Sequence, residues 1–129
     1  MGCHVKPEQF FNLIFGYNDK YWEAGSNLNT PAGIVVVTLT PVPAGEAWVL
    51  TAANCENASA ARAMCIDVGD GTNYITLVDA TGSGYRKGIQ WAGNVVMKEG
   101  DRVRFVFFDT VLNEDTYWKA MGYKMKLVQ

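Results

Sequence analysis

The chain has 129 residues, 49% of them hydrophobic, and 11 basic against 13 acidic side chains leave a formal charge of −2. That length suits one domain with a real core, and the apolar content excludes a disordered segment. The near-neutral charge argues against nucleic-acid binding through phosphate contacts, no apolar stretch approaches the ~20 residues of a membrane helix, and no secretion signal opens the chain.

Residues 1–32 read as an irregular arm ahead of a domain spanning 33–129. Pro7 is placed to open a helix over residues 7–15, PEQFFNLIF, which Gly16 would stop. Phe10, Phe11, Leu13, Ile14 and Phe15, followed by Tyr17, Tyr21 and Trp22, are too apolar to sit freely in water. They pack either on their own domain or on another chain. Because a complete sandwich fits within the rest of the sequence, these eight residues are the candidate partner interface.

From residue 33 onward, short apolar runs alternate with turn residues. The first is Ile34 to Thr40, rich in β-branched residues and ended by Pro41 and Pro43. The second is Ala47 to Cys55. The third is Ala63 to Val68, with Met64, Ile66 and Val68 on one face and Cys65 and Asp67 on the other. Gly69-Asp70-Gly71 turns the chain into a fourth run, Asn73 to Asp79. Gly88 to Ala92 and Asn94 to Met97 are the fifth and sixth. Lys98-Glu99-Gly100-Asp101 is a polar turn before Arg102 to Asp109, where Val103, Phe105 and Phe107 alternate with Arg104 and Val106. In the last run, Trp118 to Val128, the face carrying Met121, Tyr123, Met125 and Leu127 is expected to be buried. About eight strands with turns between them, and no amphipathic helix among them, predict an all-β antiparallel sandwich or small barrel.

The side-chain inventory is poor in catalytic groups. The one histidine, His4, lies near the chain start, where a side chain is seldom held rigidly beside a nucleophile. Cys3, Cys55 and Cys65 form no CxxC pair and are expected as free thiols, with Cys55 and Cys65 packing as small apolar residues. Several local patterns have simpler readings. Met1-Gly2-Cys3 lacks the Ser or Thr at position 6 of an acylation signal. Asn57-Ala58-Ser59 fits a glycosylation sequon, and Asp67 to Gly71 loosely fits a calcium loop but reads as a hairpin turn. The basic, glycine-rich stretch Gly82 to Gly88 leads into a strand rather than the helix a phosphate loop needs. Glu114 and Asp115 are adjacent loop acids, expected to be solvated. The expectation is a protein that is not an enzyme and needs no metal or organic cofactor.

Three motifs in a fixed order carry a resemblance. They are Val42-Pro43-Ala44-Gly45-Glu46-Ala47-Trp48-Val49-Leu50-Thr51, then Val96-Met97-Lys98-Glu99-Gly100-Asp101-Arg102-Val103-Arg104-Phe105, then Met121-Gly122-Tyr123-Lys124-Met125. Together, over about residues 33–128, they resemble small jelly-roll virion proteins of tailed bacteriophages, including capsid decoration proteins and minor head or tail components. The resemblance implies a jelly roll of about eight strands that self-associates, with a trimer suspected. It also implies binding to a major capsid or other virion protein, and a place in the virion after assembly in the host cytoplasm. Capsid decoration leads over a neck or tail component. A carbohydrate-binding jelly-roll module is the reading from a different class, with Tyr85, Trp91, Tyr117 and Trp118 as candidate sugar platforms.

Overall fold

The structure, a computed structural model, describes the backbone of residues 15–82 and 87–127. Eight strands follow one another: β1 (Phe15–Asn27), β2 (Gly33–Thr38), β3 (Glu46–Asn57), β4 (Ala63–Gly69), β5 (Tyr74–Thr81), β6 (Gly88–Met97), β7 (Arg102–Thr110) and β8 (Thr116–Leu127). All pairings are antiparallel. β1 pairs with β8, β2 with β7, β3 with β6 and β4 with β5, as in one long hairpin folded at its middle. Rolling that hairpin up sets β8 beside β3 and β7 beside β4. The result is two four-stranded sheets, β1-β8-β3-β6 and β2-β7-β4-β5, the arrangement of a jelly-roll sandwich.

The all-β expectation is met, and no helix occurs among the described residues. The eight strands are not the eight runs read from the sequence. The fifth and sixth runs are one strand, β6, interrupted by a bulge. Leu50 pairs with Val95 and Ala52 with Ala92, so Gly93 and Asn94 together oppose Thr51. The missing strand is β1, which lies in the segment expected to be an irregular, partly helical arm. Phe15 already sits in this strand, and the remainder of the expected helix, residues 7–14, lies outside the described residues. β1 has a polar and aromatic composition with a bulge between Tyr17 and Asp19, so no period-two pattern marks it. It belongs to the sandwich nonetheless. Tyr21 is buried and packs 4.9 Å from the Trp48 ring, and the Glu23 carboxylate accepts hydrogen bonds from the Thr40 backbone N–H and hydroxyl.

The core lies between the sheets. Leu50, Met64, Ile66, Met97, Val103, Phe105 and Phe107 are its fully buried large apolar side chains. Each stabilises the fold by roughly 1.5–3 kcal/mol relative to exposure. The alternations read in β4 and β7 are as expected, with Cys65, Asp67, Arg104 and Val106 on the opposite face. That outer face is itself partly sealed. The Arg104 guanidinium donates to Asp67 at 2.6 Å and lies 3.7 Å over the Tyr74 ring, so Asp67 is buried there.

β8 departs from expectation. Met121, Tyr123 and Met125 do share a face, but it is the outer one. Tyr123 is exposed, Met121 is half-buried, and Met125 is buried in a small separate cluster with Ala47 and Val49. The inward positions are Thr116, Trp118, Ala120, Gly122 and Lys124. Small residues stand in the middle because the β3 backbone approaches closely there: a Cβ on Gly122 would lie 1.8 Å from the Val49 carbonyl oxygen. Lys124, at the open end, sits with its ammonium 4.5 Å from the Trp48 ring. A polar residue on the core side thus inverted the pattern. The side chain of Leu127 is outside the described residues.

Candidate functional site

The loops after β1, β3 and β7 converge at one end of the sandwich. There Glu114, expected to be solvated, is buried and holds three loops together. Its Oε1 accepts from Asn57 Nδ2 at 3.1 Å and from the Val111 backbone N–H at 2.8 Å, and its Oε2 accepts from Arg62 at 3.1 Å. The backbone N–H of Glu114 donates to the Thr30 hydroxyl at 2.9 Å, and that hydroxyl donates to the Val111 carbonyl. Thr110 and Thr116, also buried, donate to the carbonyls of Pro31, Gly33 and Asn27. Burial alone would raise the Glu114 pKa, but the bonds from Arg62, Val111 and Asn57 outweigh it and hold the carboxyl below its ordinary value. The arrangement is structural. It fixes the loops that carry Leu28, Val111 and Leu112, whose apolar side chains project into solvent as a tip.

The outer face of the β1-β8-β3-β6 sheet carries an open groove of about 730 Å³ near the same end. Register places its lining in rows across the strands. Tyr117, Glu56 and Gly88 form one row; Ala24, Lys119, Asn54 and Gln90 form the next; Trp22 lines the groove from the row beyond. Trp22 is 58% exposed and Tyr117 37%, so an aromatic ring stands at each side of the Ala24–Lys119 row. The Lys119 ammonium lies 5.2 Å from the Trp22 ring.

The structure separates the residues proposed as an interface. Phe10, Phe11, Leu13 and Ile14 lie outside the described residues, and only the backbone of Phe15 and Tyr17 is described, within β1. Tyr21 is in the chain's own core, where burial and then the nearby Glu23 carboxylate push its pKa well above the usual phenol range. Trp22, one residue on, faces out. Of the proposed sugar platforms, Trp91 and Trp118 pack against the core, Trp118 6.4 Å from Phe107, while Tyr117 and Trp118 both line the groove and only the former is exposed among those described. Tyr85 lies outside the described residues.

Other candidates are accounted for by local chemistry. Asn57 is fully buried, so it is no glycan acceptor in the folded chain. The Asp70 carboxylate caps its own turn, accepting from the backbone N–H groups of Thr72 and Asn73 at 2.8 Å. Among the described residues, no group of three or more His, Cys, Asp or Glu is placed to hold a metal ion. Cys55 and Cys65 are buried free thiols on opposite sheets, pushed up by burial to about 12 and about 11. Cys3 is outside the described residues.

No family model matches the chain, and no curated protein matches it. Among solved structures it is similar to a chain of the acid-stable capsid of Helicobacter pylori bacteriophage KHP30. The identity is 12% and the TM-score 0.56, over 89% of this chain and 97% of that one. It is also similar to a pentameric capsid protein isolated from metagenomic phage sequences, at 12% identity and TM-score 0.40 over 98% of this chain and 83% of that one. A third likeness is to CpGH89CBM32-5 from Clostridium perfringens, solved with GalNAc-β-1,3-galactose, at 12% identity and TM-score 0.40 over 79% and 94%. The first shows a shared fold over most of both chains. The other two are too distant to carry an argument.

Proposed function

We propose that this chain is a structural protein of a bacteriophage virion that decorates the capsid surface and associates with copies of itself, as a trimer. The observation that carries the reading is the likeness of its jelly roll, over most of both chains, to a chain within a phage capsid. Fold alone does not assign a task. Two surface features support this one. The β2 edge strand leaves Ile34 and Val36 exposed, and the rigid tip exposes Leu28, Val111 and Leu112. An apolar edge strand and a held apolar tip are the kind of surface that contact between proteins covers.

The test uses the purified protein and virions stripped of it. Saturable co-sedimentation is expected, with a rise in the temperature at which the particles release their genome. Val36→Lys and Leu112→Lys should each weaken particle binding or self-association while leaving the melting temperature close to that of the parent. Light scattering should give the mass of three copies. A protein that stays monomeric at high concentration and never sediments with particles would overturn the proposal.

A further inference from the structure

We propose that the groove on the outer face of the β1-β8-β3-β6 sheet is a binding site for a neutral oligosaccharide, with Trp22 and Tyr117 as stacking platforms and Asn54 and Gln90 as hydroxyl-reading amides. The inference does not rest on the virion reading, since it follows from the lining chemistry alone. A hexose presents a flat patch of C–H groups on one face and hydroxyls around its rim. Its complement is a large exposed aromatic face beside groups that both donate and accept hydrogen bonds. Trp22 and Tyr117 supply the first. The exposed carboxamides of Asn54 and Gln90, adjacent in register across β3 and β6, supply the second.

The floor leaves room for a ring. Ala24 and Gly88 line the groove without long side chains, and its volume of about 730 Å³ falls within the usual range of small-molecule sites. The open shape suits a stretch of glycan chain rather than one enclosed monosaccharide. Two other occupants fit less well. Protein interfaces are depleted of charge at their centre, whereas Lys119 and Glu56 stand within this lining. A phosphate-bearing ligand such as single-stranded nucleic acid could stack on Trp22, but it would meet the Glu56 carboxylate on a chain of net charge −2. Sequence reading missed Trp22 as a platform because it was grouped with the apolar arm. The edge-strand register turns it onto the outer face, while its neighbour Tyr21 turns inward.

The test titrates the full chain separately with cellohexaose, maltohexaose and chitohexaose, following tryptophan fluorescence and backbone amide shifts. At least one oligosaccharide should bind with a dissociation constant of about 1 mM or tighter, shifting the amides of Trp22, Asn54, Gln90 and Lys119. Trp22→Ala and Gln90→Ala should each weaken binding at least about tenfold. Both sites are exposed, so melting temperatures should stay near the parent value, and Ile75→Ser on the other sheet, at an exposed position, should leave binding unchanged. No binding of any of the three at about 10 mM, or binding that survives both groove substitutions, would overturn the proposal. Because the readout is the isolated protein's sugar affinity, this failure is distinct from failure to bind particles.

Discussion

The two ends of the sandwich are held in different ways. At the end formed by the loops after β2, β4 and β6, the turns after β4 and β6 are short and closed by neighbours in sequence, while the longer β2–β3 loop is held by backbone bonds to β7 and its turn and by the Glu23 carboxylate at Thr40. Asp70 caps its own turn, the Asp101 carboxylate accepts from the Lys98 N–H, and Gly45, Gly71 and Gly100 supply positive φ. A few backbone bonds, such as Val42 N–H to the Asp101 carbonyl, then stitch one loop to another. At the opposite end, side chains far apart in sequence do the holding. Glu114 reaches Asn57 and Arg62, Thr30 reaches Val111, and Thr116 reaches Asn27. Local turns close individual hairpins, whereas a buried polar network fixes several loops as one body. The apolar tip and the mouth of the groove lie at the networked end.

The largest effect should come from deleting residues 1–30. This removes β1 and Thr30 together and opens the edge of β8, so cooperative thermal unfolding should be lost. A truncated domain that melts like the parent would show that the sandwich closes without β1. Next comes Glu114→Ala, which strands Asn57 and Arg62. It should cost about 2–3 kcal/mol, discounted for the partial exposure of Arg62, as read by denaturant unfolding. The same residue sets an acid limb. Its folded carboxyl titrates below its unfolded one, so its contribution is complete above the ordinary glutamate range near pH ~4.3 and is lost as pH falls through the folded value. Glu114→Gln should flatten that limb in melting temperature against pH. The smallest effect is expected for Asp70→Ala at the other end. Its carboxyl is also held low, first by the backbone N–H groups of its turn, but it is fully solvent-exposed. A loss as large as that of Glu114→Ala would erase the distinction between the ends.

That distinction also explains what the sequence made legible. The locally closed turns were readable because their chemistry is written in consecutive residues: Gly69-Asp70-Gly71, Lys98 to Asp101 and Ala44-Gly45. The β4 and β7 faces were readable because their polar positions point away from the core. Glu114 was misread as a solvated loop acid because its partners are 57 and 52 positions away. β1 is not marked in the sequence because its inward side carries a buried Tyr21 and a half-buried Glu23 rather than an aliphatic row, and β8 because Lys124 stacks on Trp48 at the core side. The groove needed the register of four strands at once. Tyr117 is a candidate sugar platform in the sequence and lines the groove, whereas Trp22, Asn54 and Gln90 come together only across β1, β3 and β6.

The central claim is that this jelly roll is a component of a virion, and it is tested most directly on particles produced from the genome that encodes the chain. Gradient-purified virions should be analysed by quantitative mass spectrometry, with antibody-gold labelling of intact heads. The chain is expected at a fixed ratio to the major capsid protein, with label on the head surface. Particles that lack the chain, while it accumulates only in the unassembled fraction, would contradict it.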